Sequence, residues 1–180
     1  MINTSSVYRS NFAATADIVV NQGGTSSGKT YAILQVLFSK AIAETCTITV
    51  VGQDIPNLKV GALRDAIDIH NADEAIKQQV TFYNRSDRVF TFKNGSIIEF
   101  NSYDNEQDAK SGKRDYLFVN EANGIPYNIF EQLSLRTRRQ VYLDYNPDTS
   151  FWVHDKIIPM PNAELIISDH RHNPFLSDKI

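Results

Sequence analysis

Gly23-Gly24-Thr25-Ser26-Ser27-Gly28-Lys29-Thr30 matches the phosphate-loop pattern G-x-x-x-x-G-K-[ST] at every position. Glycines in such a loop let the backbone turn tightly and aim successive N–H groups at the phosphates of a nucleotide. Lys29 is placed to reach the β- and γ-phosphates, and the Thr30 hydroxyl to ligate Mg²⁺. Asp17-Ile18-Val19-Val20-Asn21 before the loop is a short apolar run suited to a buried strand, and Tyr31 to Ala43 after it reads as a helix. Strand, glycine loop and helix in that order separate a phosphate loop from a chance match. The segment therefore predicts a nucleoside triphosphate site with Gly23, Gly24, Thr25, Ser26, Ser27, Gly28, Lys29 and Thr30 as its binding residues.

The rest of the chain sets bounds on that site. A length of 180 residues corresponds to one domain with a sizeable core. No stretch is apolar for the length a membrane helix needs, and Met1-Ile2-Asn3-Thr4-Ser5-Ser6 lacks the charged-then-apolar layout of a signal peptide. The single cysteine, Cys46, leaves no intramolecular disulfide and argues against structural zinc. The expected compartment is the cytoplasm. A domain wrapped on nucleic acid is usually basic, and a net charge of −3 neither supports nor excludes a DNA partner. The basic clusters Arg136-Thr137-Arg138-Arg139 and Lys110 to Arg114 suit a DNA contact or a solvated surface equally well.

Patterning predicts an α/β chain. Cys46 to Gly52 is β-branched and apolar, hence a buried strand. Asn57 to Gln79 carries the irregular apolar spacing of one or two helices. Val80 to Asn84, Arg88 to Phe92 and Ile97 to Phe100 are strand-like, and Asn94-Gly95 between the last two is a strong hairpin signal. This is an antiparallel meander, about residues 80–101, expected as an insertion on a mostly parallel sheet covered by helices. Asp104 to Gly112 is polar and loop-like. Tyr116 to Val119, Gln140 to Asp144 and Glu164 to Ser168 read as further strands. Pro126 to Leu135 and Phe151 to Ile157 read as helices.

A phosphate loop needs a carboxylate at the tip of a neighbouring strand, either to hold magnesium through water or to polarise the attacking water. Tyr116-Leu117-Phe118-Val119-Asn120-Glu121 reads as the only apolar strand ending that way. Motor-type nucleotide hydrolases end this strand in Asp-Glu; here Asn120 replaces the first acid and Glu121 is kept. Glu121 is the candidate general base. Asn120 can offer its amide oxygen to Thr30 or to a magnesium-bound water, without the charge of an acid. Asn146, in Asp144-Tyr145-Asn146-Pro147, follows the next strand and is a candidate γ-phosphate sensor. Guanine recognition of the Asn-Lys-x-Asp type is missing, the nearest segment being Asn84-Arg85-Ser86-Asp87, so ATP is favoured over GTP.

Taken together, the chain resembles the ATPase domain of the large terminase subunit of tailed bacteriophages, the motor that packages viral DNA. The resemblance rests on Gly23 to Thr30, Lys93-Asn94-Gly95-Ser96-Ile97-Ile98-Glu99-Phe100, Asn120-Glu121-Ala122-Asn123, Asp144-Tyr145-Asn146-Pro147 and His172-Asn173-Pro174-Phe175-Leu176. It implies ATP and Mg²⁺, a homo-oligomeric ring on the phage portal, a small terminase subunit and double-stranded DNA as partners, and the host cytoplasm as location. It also implies an RNase H-type nuclease domain, for which 180 residues leave no room, so no nuclease activity is expected of this chain. A basic residue acting on the neighbouring subunit's nucleotide is further implied, with Lys110, Lys113 and Arg114 as candidates, Arg114 preferred, and Arg136 and Arg138 next. Two other readings stand beside the motor: a nucleotide-dependent assembly module with little hydrolysis, motivated by Asn120, and a small phosphotransferase sharing the loop.

Overall fold

The structure, a computed structural model, describes residues 4–174 and 176; Met1-Ile2-Asn3 and Phe175 of the terminal Asn-Pro-Phe-Leu segment lie outside the described residues. In chain order the elements are α1 (Ser6–Ala13), β1 (Ile18–Gly23), α2 (Lys29–Ala43), β2 (Thr47–Val51), α3 (Ile55–Val60), α4 (Ala62–Ala72), α5 (Glu74–Gln79), β3 (Val80–Asn84), β4 (Val89–Phe92), β5 (Ile97–Asn101), α6 (Glu106–Ala109), β6 (Arg114–Val119), α7 (Tyr127–Leu135), β7 (Thr137–Tyr145) and β8 (Ala163–Ser168). A single π turn occupies Val153–Ile157 where a short helix is expected.

The strands form one eight-stranded sheet in the order β3-β4-β5-β2-β6-β7-β1-β8. The pairs β5–β2, β2–β6, β6–β7, β7–β1 and β1–β8 are parallel, and β3–β4 and β4–β5 are antiparallel. Only β4 therefore runs against the rest. The meander at 80–101 is present, but it is not a separate lobe: its return strand β5 pairs in parallel with β2, so the meander widens the central sheet at one edge.

Parallel strands covered on both faces must be apolar on both, and alternate residues sort to the two sides. Val19, Val50, Phe118 and Tyr142 point to one core with Ile33, Leu34, Leu37 and Phe38 of α2 and Leu63, Ala66 and Ile69 of α4. Their sequence neighbours Val20, Val51, Leu117 and Leu143 point to the opposite core, with Ile129, Phe130 and Leu133 of α7 and Val153 and Ile157 of the π turn. Between Asn57 and Gln79 the chain breaks into three short helices rather than one or two. Gly61 stands between α3 and α4, and Asp73 caps α5 by accepting from the N–H groups of Ala75 and Ile76. Pro126 stands at the N-cap of α7 rather than in its first turn.

Helix α1 has no counterpart in the sequence reading. Its eight residues have no strong apolar stripe; Val7 is buried and Tyr8 packs on the core, and a polar pair adds a further anchor. Asn11 and Asn21 of β1 exchange two amide hydrogen bonds, each of 2.7 Å, and both are fully buried. Each amide satisfies the other where water cannot reach. Asn11→Ala is expected to lower stability by roughly 1–3 kcal/mol, because Asn21 is left without its partner. Asn11→Leu combined with Asn21→Val should recover part of that loss, since no orphaned polar group remains. Urea unfolding midpoints of the three proteins check both statements.

Candidate active site

Because β6, β7, β1 and β8 are neighbours running in one direction, their C-terminal ends deliver four chain segments to one edge of the sheet. From β1 the chain passes through Gly24 and a 3-10 turn at Thr25–Ser27 into Gly28, whose φ of 76° lies in the left-handed region, and then into α2. Glycine is the residue that adopts this φ without strain. Gly23 is required for a different reason: a Cβ there would lie 2.6 Å from both the carbonyl and the hydroxyl oxygen of Ser168 on β8. The fifteen-residue helix α2 thus presents its free N–H groups and the positive end of its dipole to the loop, the standard setting for an anion.

Lys29 folds back over the loop. Its Nζ donates to Asn146 Oδ1 at 2.7 Å and to the Gly24 carbonyl at 3.3 Å. The Asn146 amide in turn donates to Thr25 Oγ1 at 3.2 Å. The candidate sensor residue therefore bridges the loop lysine and the Thr25 hydroxyl. Burial pushes the Lys29 ammonium below the usual lysine range, against the pull of Asp144, Glu121 and Asp148.

At the foot of the loop stands a residue to which the sequence reading gave no role. Asp144, fully buried at the end of β7, accepts from Thr30 Oγ1 at 2.6 Å, from Asn120 Nδ2 at 3.0 and 3.1 Å, and from the Glu121 N–H at 2.7 Å. Burial pushes its carboxyl up, opposed first by Lys29 and then by these hydrogen bonds. The strand of Tyr116 to Glu121 is thus not the only apolar strand ending in an acid. Val141-Tyr142-Leu143-Asp144 is another, and a search for apolar runs ending in Asp would have found it. The expected role of Asn120 is corrected as well. Its NH₂ faces Asp144 and, at 3.5 Å, Thr30. Only the donor end of an amide can meet a carboxylate, so on this side Asn120 offers hydrogens, not the oxygen expected to serve a metal-bound water.

Glu121 is exposed and takes a left-handed φ of 51°, a conformation that costs a non-glycine residue on the order of 1–3 kcal/mol and gathers at functional sites. It lines two cavities that share Thr25, Lys29 and Thr30. The larger, about 650 Å³, extends to Arg64, Asp65 and Asp68 of α4 and to Asn173. The smaller, about 220 Å³, lies toward Asn146 and Asp148. Asn173 reaches the loop from the side opposite Asn146, its Nδ2 donating to the Ser26 carbonyl at 3.1 Å. Neither Arg64 nor Asp65 carries a sequence signal of its own, since an irregular helix places them there.

Arg114 is not brought to this edge. It opens β6 at the opposite end of the sheet, is 2% exposed, and donates to Thr49 Oγ1 at 3.0 Å and to the Leu133 carbonyl at 3.1 Å. A guanidinium enclosed in this way cannot extend to a neighbouring subunit, and the preference for Arg114 is corrected to a structural role. Arg136 bonds Gln132 beside it, Arg138 pairs with Asp115 at 3.6 Å, and Lys110 pairs with Glu106 at 3.5 Å. Lys113 is exposed. Asn84 and Asp87 close their own turn between β3 and β4, far along the sheet from the loop.

The family model of the phage terminase large subunit matches residues 15–180. The chain belongs to that family. No curated protein matches it by sequence. Among solved structures, it is similar to the large terminase of a thermophilic bacteriophage, with 15% identity and a TM-score of 0.75 over 99% of this chain and 49% of that one. The ADP complex of the same protein superposes with a TM-score of 0.77 at 15% identity, over 98% and 48% of the two chains. The large terminase ATPase domain of Thermus phage P74-26 gives 0.71 at 14% identity, over 92% and 80%. At such identities the likeness establishes the fold, and the chain spans about half the length of the first of these large terminases.

A terminase fold of this kind implies Mg²⁺ with its nucleotide, and the residues present fit that ion. The groups at the loop are hard oxygens, the donors Mg²⁺ prefers. Among the described residues no three His, Cys, Asp or Glu side chains converge into a cage. Mg²⁺ is usually held by one or two protein oxygens together with phosphates and water. The Thr30 hydroxyl donates its hydrogen bond to Asp144, which leaves a lone pair of its oxygen for a cation.

Two outcomes follow from this geometry. Arg114→Ala should cost roughly 2–3 kcal/mol through the orphaned Thr49 and Leu133 partners, while turnover per folded molecule stays unchanged; denaturation paired with active-fraction kinetics separates the two. The second concerns Asp65, whose carboxyl burial pushes up to about 6 from 3.8, with Arg64 opposing and Asp68 and Asp144 adding. A raised folded value means stability that is full below the ordinary range and lost as pH rises through about 6. Asp65→Asn should therefore stabilise the protein at a pH of about 7.5 by on the order of 1–2 kcal/mol, discounted because the carboxyl keeps some solvent contact. The advantage should vanish near a pH of about 4, as thermal melts across that range would record.

Proposed function

We propose that the chain is an ATP-hydrolysing motor domain of a phage terminase large subunit, acting on double-stranded DNA during genome packaging. The observation that carries this reading is the convergence of Lys29, Thr30, Glu121, Asp144 and Asn146 on one loop from the ends of three parallel strands. The triphosphate lies on the loop N–H groups and the start of α2, with Lys29 exchanging Asn146 and the Gly24 carbonyl for the β- and γ-phosphates. Thr30 would hold magnesium, which would supply positive charge against the negative charge that develops on the phosphates. Glu121 accepts a proton from water as the water oxygen bonds to the γ-phosphorus. The bond from that phosphorus to the β,γ-bridging oxygen breaks, leaving ADP and inorganic phosphate. Asn146, released from Lys29, is free to follow the γ-phosphate and its departure.

The large terminase of the thermophilic bacteriophage has been solved with ADP and with ATP-gamma-S, which supports a nucleotide role for the same fold here. Family membership supports a ring of identical subunits working with the portal and a small terminase subunit in the host cytoplasm, with this chain supplying the ATPase portion. The assembly-module reading loses its motive, because the acid missing at position 120 is met by Asp144.

Glu121→Gln should keep ATP affinity within about threefold and lower turnover by roughly 10²–10⁴. Turnover per molecule of the unaltered chain should climb with protein concentration, as subunits complete one another's sites. Steady-state phosphate release over a wide concentration range, with Mg²⁺ present, measures both. Wild-type turnover in Glu121→Gln would remove Glu121 from catalysis, and a rate independent of concentration would count against the ring.

A further inference from the structure

We propose that Asp144 is the positioning carboxylate of the magnesium site, and that acid and amide have changed strands in this chain. The proposal rests on the ATPase reading above and deepens it. In motor-type hydrolases the first acid of the pair ending the strand equivalent to β6 organises the metal. Here that position is Asn120, and the acid stands one strand nearer the loop, on β7, between β6 and β1.

Hydrogen bonding assigns the roles. Thr30 can offer lone pairs to a cation only if its proton points elsewhere, and Asp144 Oδ2 takes that proton at 2.6 Å. The other carboxylate oxygen, Oδ1, faces only donors: Asn120 Nδ2 at 3.0 Å and the Glu121 N–H at 2.7 Å. With the further Asn120 contact to Oδ2 at 3.1 Å, four donor contacts meet the four acceptor directions of an ionised carboxylate. The same carboxylate therefore orients the metal-binding hydroxyl of Thr30 and fixes the backbone of Glu121, whose side chain lines the cavities over the loop. An Asp at 120 beside this acid would place two carboxylates about 3 Å apart, where both cannot remain ionised. The amide at 120 is thus what an acid at 144 requires.

Exchanging the two side chains keeps one acid and one amide in the cluster. In Asn120→Asp/Asp144→Asn, the new acid can take the Thr30 proton, and the new amide can accept from the Glu121 N–H and donate to the acid. The readout is the Mg²⁺-dependence of binding for a fluorescent ATP analogue, titrated in Mg²⁺ and in EDTA, on the full 180-residue chain. In Asp144→Asn the Mg²⁺-dependent gain in affinity should fall at least tenfold, with affinity in EDTA within threefold of wild type. Asn120→Asp should show a gain that depends steeply on pH, as two acids share a proton. The exchange variant should regain the Mg²⁺-dependent gain to within about threefold of wild type. A merely structural Asp144 would lower affinity equally in Mg²⁺ and in EDTA, and that result overturns the proposal. So does a wild-type Mg²⁺ response in Asp144→Asn. Should Asp144→Asn fail to fold, the exchange variant decides: restored Mg²⁺-dependence supports the proposal, and a folded variant blind to Mg²⁺ overturns it. Failure of the wild-type chain to bind the analogue at all would instead bring down the ATPase reading itself.

Discussion

A single buried carboxylate holds the active edge of this protein together. Moving a charge out of water costs several kcal/mol even after relaxation, and Asp144 is tolerated at the sheet's edge because donors from three segments close around it. Those segments are the first turn of α2, the tip of β6 and the backbone just beyond it. Deleting the carboxylate leaves all three with unmet donors; deleting any donor leaves a buried charge less well compensated. The geometry of the loop, the orientation of Thr30 and the strained backbone of Glu121 are in this sense one arrangement. The Glu121 N–H is held on Asp144 Oδ1 at 2.7 Å, and from that fixed peptide the chain leaves through a left-handed φ.

Parallel strand direction makes that arrangement possible. With β6, β7, β1 and β8 adjacent and co-directional, residues 24, 120, 144 and 168 come to one edge although they are spread over most of the chain. The opposite edge receives the starts of the strands, and there the arginines serve structure: Arg114 inside the sheet, Arg139 on Glu44 at 2.7 Å, and Arg138 on Asp115. The antiparallel meander attaches at the far side of β2, away from the loop. Its aromatic residues, with Phe90 in contact with Phe38 of α2 at 5.4 Å between ring centres, extend the core without entering the site.

What could be read from the sequence follows from how local each determinant is. The phosphate loop, the strands Val19-Val20 and Phe118-Val119, and the Asn94-Gly95 turn are written in consecutive residues, and each stands where it is expected. The edge-on joining of the meander is not legible, because β5 and β2 are paired by register between segments far apart in the chain: Thr47 with Ile97, Val50 with Phe100. Helix α1 escapes a reading by pattern because it has no strong apolar stripe and an amide pair helps to fix it. Arg114 is misplaced by sequence because proximity to an acidic strand says nothing about which end of that strand a residue occupies. Asp144 lies in plain view in its motif, yet its role depends on strand order, which seats β7 directly beside β1 and is a tertiary fact.

The loop is held from two sides by amides of different origin. Asn146 follows β7 and bonds Lys29 and Thr25, while Asn173 follows β8 and bonds the Ser26 carbonyl. These two strands flank β1 on either side. Of the three donors of the Lys29 ammonium, two are on Asn146 and the Gly24 carbonyl, so a phosphate that takes more than the third competes with them as the stronger acceptor. Asn173 pulls on a backbone carbonyl, not on a group the nucleotide needs, so its bond can persist when the site fills. The side toward β7 therefore shares its lysine with the phosphate site, and the side toward β8 holds the loop through a carbonyl outside it. On the β7 side the loop of Asp144 to Asp148 is backed by the aromatic cluster of Tyr145, Phe151 and His154.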